Sequence, residues 1–575
     1  MKTAEGITVR RADKTPALVL INTAEYHQKL DTILADETKF KKITRNPVDE
    51  IKREANRTIE RVNALATNIK LSTIKGDYEP GYIYGNVKTH KPGNPLRPII
   101  SQVPAPTYRL AKHLNALLTP YIPTRYRVQS STDFLRIVRS ATPEGTIASL
   151  DVESLFTNVP VEETIGLICD RVYRDVSTPN LNIPEGALRD LLRLCTMKAP
   201  FITHKGEMYT QIDGIAMGSP LGVLFADFYM GVVEERVFEQ CQEPDMYCRY
   251  VDDTFIKADT PEEVEHLRQK FEECSSLRFT CERSDNGNLP FLDIQISQGD
   301  GDRFVTKVYK KPTNMGLCLN GSSECPDRYR RSVINAYIRR ALTHCSTWAA
   351  TTKEIDDATQ VLVNNGFSNR EIMLQIRKTI DKWYLDDNTA TLDVDRSQEN
   401  IKLFYRNYWH IDYKKDEKAL RNIISSHVKP INVNDKISLV IYYKNKKTSN
   451  LILKNSPSLP TNTLKRNNVV YLFRCPIVRC NHEYIGLTTM KLSKRISCHA
   501  QEGNIFNHFK NAHSTRLTTN MLRSSFEIID HNPCAKRLRY LEALHILEKK
   551  PSLNATQEQL LLPSIIPPPR RLVER

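Results

Sequence analysis

Three carboxylates in the middle of the chain have the setting of a metal-dependent phosphoryl-transfer site. Asp151 closes an apolar run in the segment ASLDVESLFTN, and Asp252 and Asp253 stand together in the segment RYVDDTFI. Carboxylates held side by side can bind two Mg²⁺ ions. One ion lowers the pKa of an attacking hydroxyl, and the other neutralises a triphosphate and its leaving pyrophosphate. An Asp-Asp pair alone is also typical of a surface turn, but the strand-terminal Asp151 ahead of it makes the catalytic interpretation more specific.

Side chains near these carboxylates in the sequence could bind a nucleotide. A loop rich in Pro, Gly and Lys at residues 84–100 contains Lys88 and Arg97. A lysine meets phosphate as a point charge, whereas a guanidinium can bind it bidentately. Phe156 follows Asp151 by five residues, and its ring could exclude a ribose 2′-hydroxyl. The alternatives are solvated surface charges for the two bases and a core position for the ring.

A run of small residues lies between the two acidic motifs. Residues 211–222 read QIDGIAMGSPLG, and small residues let the backbone approach a flat partner such as a templating base pair. A glycine-rich turn that precedes a helix would explain the same pattern.

The C-terminal region contains cysteines and histidines with the spacing of a metal site. Its candidate ligands, in C-x4-C and H-x4-H spacing, are Cys475, Cys480, His508 and His513. Two thiolates on a turn and two imidazoles one helical turn apart suit a tetrahedral Zn²⁺ ion. Cys498 and His499 are alternative ligands. Buried free thiols beside surface histidines would also explain these residues.

A second set of residues in the same region could hydrolyse a phosphodiester. Its members are Tyr471 in VVY, Tyr484 in YIG, Arg495, and Glu542 in RYLEALHILEKKPSLN. The Glu would hold a single Mg²⁺ ion, a Tyr hydroxyl would help to activate or place water, and the Arg would stabilise the phosphorane charge. By periodicity alone, Glu542 is a solvated helix residue and Tyr484 is a strand aromatic.

The hydropathy pattern predicts the elements that must position these side chains. Residues 146–152 predict a strand that ends near Asp151, and residues 246–258 predict a hairpin with the Asp pair at its tip. A polar, acidic stretch at 386–400 predicts a linker. Helices are predicted for residues 105–140, 326–385 and 539–554.

The charge of the chain is unevenly distributed. The 575 residues carry a net charge of +15, which favours a polyanionic partner, and nucleic acid over a membrane surface. Residues 141–300 have a net charge of −16, whereas residues 41–140 have +11 and residues 401–575 have +18. The acidic block coincides with the candidate metal ligands. Thirteen cysteines over this length predict reduced thiols in an intracellular protein, and neither a signal peptide nor a membrane span is predicted.

The order of the motifs over roughly residues 8–350 resembles a known family. The motifs are RPII, DVESLFTNVP, GIAMGSPLG, YVDD, LPFLDI and VYKKPT. This ordered set is similar to the reverse transcriptase of Penelope-like retroelements, which are relatives of telomerase. The resemblance implies a right-hand polymerase in which Asp151, Asp252 and Asp253 hold two Mg²⁺ ions. It also implies that Lys14 and Arg97 contact the triphosphate, Phe156 is the sugar gate, and Gln211 and Gly218 lie near the template and the nucleotide.

Residues 465–556 resemble the GIY-YIG endonucleases, in the version with an embedded zinc site that Penelope-like elements carry. Here VVY stands in place of the first tripeptide, and Tyr471 keeps its aromatic position. The resemblance implies a catalytic set of Tyr471, Tyr484, Arg495, His499 and Glu542, supported by Asn554. It assigns His499 to the nuclease site, which leaves Cys475, Cys480, His508 and His513 for a structural Zn²⁺ ion.

The expected fold is therefore α/β (α+β): a right-hand reverse transcriptase followed by a small α/β GIY-YIG domain with an embedded zinc site. The expected segments are fingers and the start of the palm (1–140), palm (141–310), helical thumb (311–390), basic connector (391–464), nuclease (465–556) and flexible tail (557–575). The expected partners are an RNA template, target DNA, a DNA primer and dNTPs, in the nucleus. The alternatives are a domesticated, non-catalytic nucleic-acid-binding protein and a telomerase-like polymerase with an inactive nuclease module.

Overall fold

The computed structural model contains two compact units, Met1–Pro457 and Ser458–Arg575. The mixed α/β class predicted from the sequence is confirmed. The predicted tail at 557–575 and residues 390–399 of the predicted linker lie outside the described residues. The described residues are 6–66, 68–175, 181–299, 301–389, 400–408, 410, 412–431, 435–443, 453, 455, 464, 466–477, 479–513, 521–522, 525–532 and 535–554.

The strands of the two units are numbered in chain order. Those of the first unit are β1 (Ile7–Arg11), β2 (Leu18–Asn22), β3 (Phe40–Ile43), β4 (Gly81–Val87), β5 (Leu96–Ser101), β6 (Thr146–Val152), β7 (Pro200–Ile202), β8 (Met208–Gln211), β9 (Met246–Tyr250), β10 (Asp253–Ala258), β11 (Phe279–Arg283), β12 (Asn288–Phe291), β13 (Ile294–Ser297), β14 (Val305–Val308), β15 (Asn400–Asn407) and β16 (Lys436–Tyr443). Those of the second unit are β17 (Val469–Arg474), β18 (Glu483–Thr488) and β19 (Phe526–His531).

The helices are numbered in the same way. Those of the first unit are α1 (Thr23–Leu34), α2 (Val48–Leu65), α3 (Tyr108–Leu118), α4 (Ser131–Arg139), α5 (Leu155–Asn158), α6 (Val161–Tyr173), α7 (Glu185–Cys195), α8 (Gly222–Gln240), α9 (Pro261–Cys274), α10 (Asp327–His344), α11 (Trp348–Asn364), α12 (Asn369–Thr389) and α13 (Tyr413–His427). Those of the second unit are α14 (Leu492–His499), α15 (Asn504–His508) and α16 (Ala535–Lys549). Short 3₁₀ and π turns lie at Thr119–Tyr121 and Phe509–His513.

An antiparallel sheet with strand order β11-β6-β10-β9 lies at the centre of the first unit. The side chains of β6 alternate between its two faces, as a pleated strand requires. Leu150 and Val152 join a large core under α6, α8 and α9, whereas Ile147 packs on the other side with Phe255. By the same alternation Asp151 lies on the face of Ile147, away from those helices.

Helix α8 explains why this core is large. The helix has 19 residues and is buried around most of its circumference, which is typical of a helix inside a core rather than on a surface. A second, mixed sheet has the strand order β3-β8-β7-β4-β5, and its strands β7 and β8 lie between β6 and β9 of the central sheet in the chain. Helix α1 packs on it, and its first turn is capped by Asn22, whose Oδ1 accepts from the Ala24 N–H at 2.8 Å.

Helices α10, α11 and α12 form a bundle around Ile334, Ile338 and Leu362. Asp293, in the turn between β12 and β13, fastens α10 to the rest of the unit. Its carboxylate accepts from the Ser131 hydroxyl at 2.6 Å and lies 3.1 Å from the Arg340 guanidinium. Strands β15 and β16 pair in parallel beyond the bundle and pack with α13.

The second unit contains an antiparallel sheet with strand order β18-β17-β19. Strand β17 is buried on both faces. Val470 and Leu472 pack with Leu538 of α16, and Tyr471 and Phe473 pack in a core with residues of α14 and α15.

Two helix predictions differ from the structure because of proline. The stretch 105–140 is divided into α3 and α4, since Pro120 and Pro123 lack the N–H that a continuing helix needs. The helix predicted at 539–554 ends at Lys549, ahead of Pro551. The predicted strand at 146–152 and the hairpin at 246–258 are confirmed. Among the described helices, none has the length and apolar character of a membrane span.

Candidate active site

The register of the central sheet places Asp151 and Asp253 side by side. Asp253 of β10 pairs directly with Asp151 of β6, and Thr280 of β11 lies on the other side of Asp151. Residues that pair across an antiparallel ladder point to the same face. Both carboxylates line one cavity of about 410 Å³, so residues 102 positions apart in the chain share one site.

Asp252 occupies the turn between β9 and β10, next to Asp253. Its neighbour Val251 has φ = +58°, a left-handed conformation that is strained for a β-branched residue. Such strain persists only where the surrounding structure fixes it. Arg249 supplies part of that constraint, because its Nη1 donates to the Val251 carbonyl at 3.0 Å.

Arg249 is fully buried at the end of β9 and is held by two acids of α8. Its Nε and Nη2 donate to the carboxylate of Glu234 at 2.6 and 3.1 Å, and its Nη1 donates to Asp227 at 3.0 Å. Arg127 pairs with the other oxygen of Asp227 at 3.0 Å, and the Tyr247 hydroxyl donates to Glu234 at 2.9 Å. The turn that carries the Asp pair is therefore bound to the central helix.

The two carboxylates of this cavity and the neighbouring carboxylate of Asp252 repel one another. Burial, followed by the charges of Asp252 and Asp151, raises the pKa of Asp253 to about 6. Burial and the charge of Asp252 raise the pKa of Asp151. A divalent cation would relieve the repulsion within this cluster, and carboxylate oxygen is the donor that such cations prefer. The donor set fits the predicted Mg²⁺ ions.

Basic side chains surround the acidic cavity. Lys14, which has φ = +64°, lines it together with His90 and Lys311. Sequence reasoning named Lys14 but missed His90 and Lys311, although Lys311 lies in the quoted motif VYKKPT. The charges of Lys14 and Lys311 lower the pKa of Asp253, against the larger effect of burial.

Lys88, directly after the end of β4, and Arg97, on β5, lie next to this group. The Nε of Arg97 is 3.0 Å from a carboxylate oxygen of Asp13, which the sequence analysis did not single out. Burial and then the charge of Arg97 lower the pKa of Lys88, and Lys14 acts in the same direction. Lys88, Arg97 and Lys14 therefore form one electrostatic cluster with Asp13.

Phe156, Gln211 and Gly218 do not line the acidic cavity. Phe156 packs against Gly222 at the start of α8, where a Cβ would lie 3.4 Å from its ring. Gln211 lines a separate cavity of about 320 Å³. Gly218 has φ = +117°, and a Cβ there would lie 2.6 Å from the Ile100 carbonyl, so the position requires glycine. The sugar-gate and template roles remain predictions.

In the second unit, the phenol of Tyr471 is the centre of a buried hydrogen-bond group. Its oxygen accepts from the Nε of Arg495 at 3.2 Å and lies at hydrogen-bond distance, 2.7 Å, from the Nε2 of His499. Burial, followed by the charge of Arg495, lowers the pKa of His499 to about 4, so its imidazole is neutral near pH 7. Burial also raises the pKa of Tyr471, with Glu542 of α16 adding to the effect.

Tyr484 and Asn554 complete the group around β18. The Tyr484 ring lies 6.5 Å from that of Tyr471 and 5.5 Å from that of His499. Gly486 faces Tyr471 across the strands, and a Cβ there would lie 2.6 Å from the phenol oxygen. Asn554 binds the backbone of Ile485, accepting from its N–H at 2.9 Å and donating to its carbonyl at 2.8 Å.

The four predicted zinc ligands converge. Their ligand atoms all lie within 4.8 Å of one another, and among the described residues they form a potential metal-binding group, Cys475, Cys480, His508 and His513. The two sulfur–nitrogen distances are 3.4 Å, and the two Nε2 atoms are 3.2 Å apart. A tetrahedral Zn²⁺ ion requires separations of roughly 3.3–3.6 Å between such atoms. The geometry therefore fits zinc.

The spacing of the two histidines has a different cause from the one predicted. An H-x4-H pair is not one α-helical turn apart, since residues five apart point to different sides of an α-helix. Here α15 ends at His508 and continues as a π turn over Phe509–His513. The wider turn brings residues five apart onto one face. The alternative ligand His499 binds Tyr471 instead.

Comparison with known proteins identifies part of the first unit. Residues 89–279 match the family Reverse transcriptase (RNA-dependent DNA polymerase), and residues 317–377 match the Animal helix-turn-helix domain. The residues matched by the reverse transcriptase family contain Asp151, Asp252 and Asp253. The match supports RNA-directed DNA polymerase activity. No curated protein matches the chain.

Several solved structures are similar to the chain at low identity. Telomerase from Candida albicans in complex with the TWJ fragment of telomeric RNA is 11% identical over 67% of this chain and 68% of that chain, with a TM-score of 0.44. Apo telomerase from Candida Tropicalis is 10% identical over 66% of each chain, with a TM-score of 0.39. The Sicinivirus 3Dpol RNA dependent RNA polymerase is 11% identical over 57% of this chain and 71% of that chain, with a TM-score of 0.35.

Replacing Arg249 by Ala should destabilise the central sheet, because it leaves buried carboxylates without their guanidinium partner. We expect a loss of about 3–5 kcal/mol, as for other broken buried pairs. Arg268→Ala is the matched control: its guanidinium also pairs with two acids, Glu265 and Glu272, but on a surface helix. That change should cost less than about 1 kcal/mol. Hydrogen exchange of the β9 and β10 amides measures both, and equal, small effects would contradict the role assigned to Arg249.

Zinc should be present at one ion per chain and should stabilise the second unit. Cys480→Ser or His513→Ala should abolish zinc binding, and chelation should increase hydrogen exchange in β17 and β18, since structural zinc contributes folding free energy directly. Cys498→Ser is the control, because this thiol is near in sequence but outside the converging group. Metal analysis that finds no zinc, or zinc that depends on Cys498, would refute the site.

Proposed function

We propose that the chain is the RNA-directed DNA polymerase of a Penelope-like retroelement. The observation that carries the proposal is the pairing of Asp151 with Asp253 across β6 and β10. This register places two carboxylates on one face, beside the turn that carries Asp252, in a cavity bordered by lysines. That is the arrangement required to transfer a nucleotidyl group from a triphosphate.

In the first unit, acidic residues are proposed to bind the metal ions and basic residues to bind the triphosphate. Asp151, Asp252 and Asp253 would hold two Mg²⁺ ions, which supply activation of the primer 3′-hydroxyl and neutralisation of the leaving pyrophosphate. Lys14 and Lys311, on the border of the cavity, would attract the triphosphate and stabilise its charge. Arg97 and Lys88 would extend this positive field, with Asp13 orienting the Arg97 guanidinium. The RNA template, the DNA primer and dNTPs are the proposed partners.

The second unit is proposed to be a GIY-YIG endonuclease that nicks target DNA. The Tyr471 hydroxyl is held between Arg495 and a neutral His499, whose Nε2 would accept the phenol proton in the Nδ1–H tautomer. Arg495 would stabilise the charge that develops on the phosphate, and Glu542 would hold one Mg²⁺ ion. Asn554 would keep the strand that carries Tyr484 in place. The zinc site is proposed to be structural.

The two activities together would perform target-primed reverse transcription in the nucleus. The nuclease would free a 3′-hydroxyl in target DNA, and the polymerase would extend that end on an RNA template. The presence of both residue sets in one chain supports this combination. Primer extension and nicking, measured on one purified sample, distinguish this proposal from its alternatives. A non-catalytic binding protein would show neither activity, and an end-extending polymerase would show extension without nicking.

Asp253→Asn should reduce DNA synthesis on a primed RNA template with Mg²⁺ and dNTPs. We expect a loss of at least about 100-fold, because several kcal/mol of transition-state charge stabilisation depend on the bound metal. Asp259→Asn is the matched control, an exposed acid just past the other end of the same strand, and should leave the rate unchanged. Equal activity of the two variants, or an inactive wild type, would contradict the polymerase proposal.

Glu542→Ala should abolish the Mg²⁺-dependent nicking of supercoiled DNA while leaving primer extension intact. Glu548→Ala, a change of an exposed acid on the same helix, is the control and should nick like wild type. The nicked and supercoiled forms are separated on an agarose gel. Nicking that is absent from wild type, or unaffected by Glu542→Ala, would refute the nuclease.

A further inference from the structure

The connector region contains an exposed sheet face that the proposed active sites do not use. Strands β15 and β16 pair in parallel, and side chains alternate between two faces. One face carries Ile441 and Tyr443 of β16, which are buried, and Tyr405 of β15, which is 45% exposed. It is fastened to α10, since Arg328 donates to the Ile441 carbonyl at 2.6 Å and the Tyr443 N–H donates to the Tyr329 hydroxyl at 2.9 Å. The opposite face is open to solvent.

This open face, here called the connector face, is a row of alternating cations and rings. Along β15 and just past its end the row consists of Lys402, Phe404, Arg406 and Tyr408, and Tyr442 of β16 pairs with Arg406. The exposed fractions are 69% for Phe404, 64% for Tyr408 and 42% for Tyr442. The Arg406 guanidinium lies over the Tyr408 ring, 5.7 Å from its centroid. Large aromatic side chains are rarely left this exposed without a partner.

The charge around the connector face indicates the chemistry of that partner. Residues 400–443 contain eight Lys or Arg against four Asp or Glu. Two of the acids are engaged elsewhere: Glu417 pairs with Arg328 at 2.7 Å, and Asp416 lies 2.6 Å from His410. A protein partner with an apolar patch would not need the interleaved cations, whereas a nucleic acid offers phosphates to the cations and base faces to the rings.

The exposed rings favour a single strand over a duplex. Bases inside a duplex are stacked on one another, so their faces are not available to a side chain. In a single strand each base can stack on an aromatic ring, which increases affinity by about 5- to 150-fold per base and is tolerant of sequence. Side chains two positions apart on a strand are about 6.6 Å apart, so the row can follow an extended backbone.

We infer that the connector face binds the unpaired RNA template strand. The choice of RNA rests on the proposed polymerase function: while RNA is copied, the new DNA lies in the hybrid duplex, and the template that has not been copied is the single strand. The connector face belongs to the unit that contains the acidic cavity, and the opposite face of the same sheet is fastened to α10, which also pairs through Arg340 with Asp293 of the β12–β13 turn. A template strand bound to the connector face would be held for the polymerase site without recognition of its base sequence.

The test is the equilibrium binding of a labelled 20-nucleotide RNA without internal pairing to the full chain, in the absence of dNTPs. The double variant Phe404→Leu, Tyr408→Leu keeps apolar bulk but removes both rings, and its Kd should rise at least about 10-fold. Phe404→Trp should bind like wild type, because a ring is retained. Tyr405→Leu, on the same strand but the opposite face, is the matched control and should change Kd less than about twofold.

The contribution of the basic side chains of the connector face is measured by the salt dependence of RNA binding. Arg406→Gln should reduce the slope of log Kd against log salt by about 0.7, as expected for one lost phosphate contact on a single strand. Unchanged RNA affinity in the double variant, or an equal loss in Tyr405→Leu, would overturn the inference. A larger loss for DNA of the same sequence than for RNA would overturn the assignment to the template.

Binding without dNTPs is independent of primer extension. If wild type binds RNA through these rings but fails to extend a primer, the polymerase proposal fails and RNA binding by the connector face stands. If wild type extends primers and the ring variants bind RNA normally, the polymerase stands and this inference fails.

Discussion

The buried charge cluster around Arg249 is the constraint on which the polymerase-like site depends. Its guanidinium reaches two acids of α8 and the carbonyl of Val251 in one planar fork, which a lysine could not do. Buried charges are stable only when each has a partner, so the strand end, the helix and the turn must assemble together. This is why a left-handed valine can persist next to Asp252. The acidic turn is thus bound to the interior of the protein rather than free at a loop tip.

The central sheet separates two chemically different environments with one strand. Along β6, Leu150 and Val152 enter the helix-covered core, whereas Ser149 and Asp151 on the other face line the acidic cavity. The concentration of acids between residues 141 and 300 is explained in part by this site and in part by the buried acids Asp227 and Glu234. The negative charge of this segment therefore has two causes: some of its acids are candidate cation ligands, and others form buried ion pairs. Lysines from distant segments, Lys14 and Lys311, bring positive charge to the same cavity.

The second unit is small and combines its proposed chemistry with its core. Tyr471 is fully buried and still provides the hydroxyl that Arg495 and His499 share. Gly486 is required opposite it because any side chain would collide with the phenol. The four converging ligands stand at the edge of the same core, where Cys475 and Phe509 pack with Tyr471. A metal there would compensate for the limited apolar surface that a unit of this size can bury.

Local patterns were enough to predict the strand at residues 146–152, the Asp252–Asp253 hairpin and the four zinc-ligand candidates. These features depend on alternation, turn residues and ligand chemistry, which are encoded in neighbouring positions. The helix breaks at the prolines within 105–140 and after residue 549 are also encoded locally, although the predicted helices extend across them. The distinction between Cys498 and the converging ligands was not readable, because all the candidates stand close together in the chain.

The sequence by itself determined which residues could bind metal and that the acids are concentrated in one segment. Only the tertiary structure decided that Asp151 faces Asp253, that Lys311 and His90 join them, and that Phe156 and Gln211 lie apart from that cavity. The tertiary structure also decided that a π turn brings His508 and His513 onto one face and that Arg249 is buried. The physical reason is that strand register and the pairing of buried charges are set by contacts between distant segments, and no local pattern specifies which segment will be the partner.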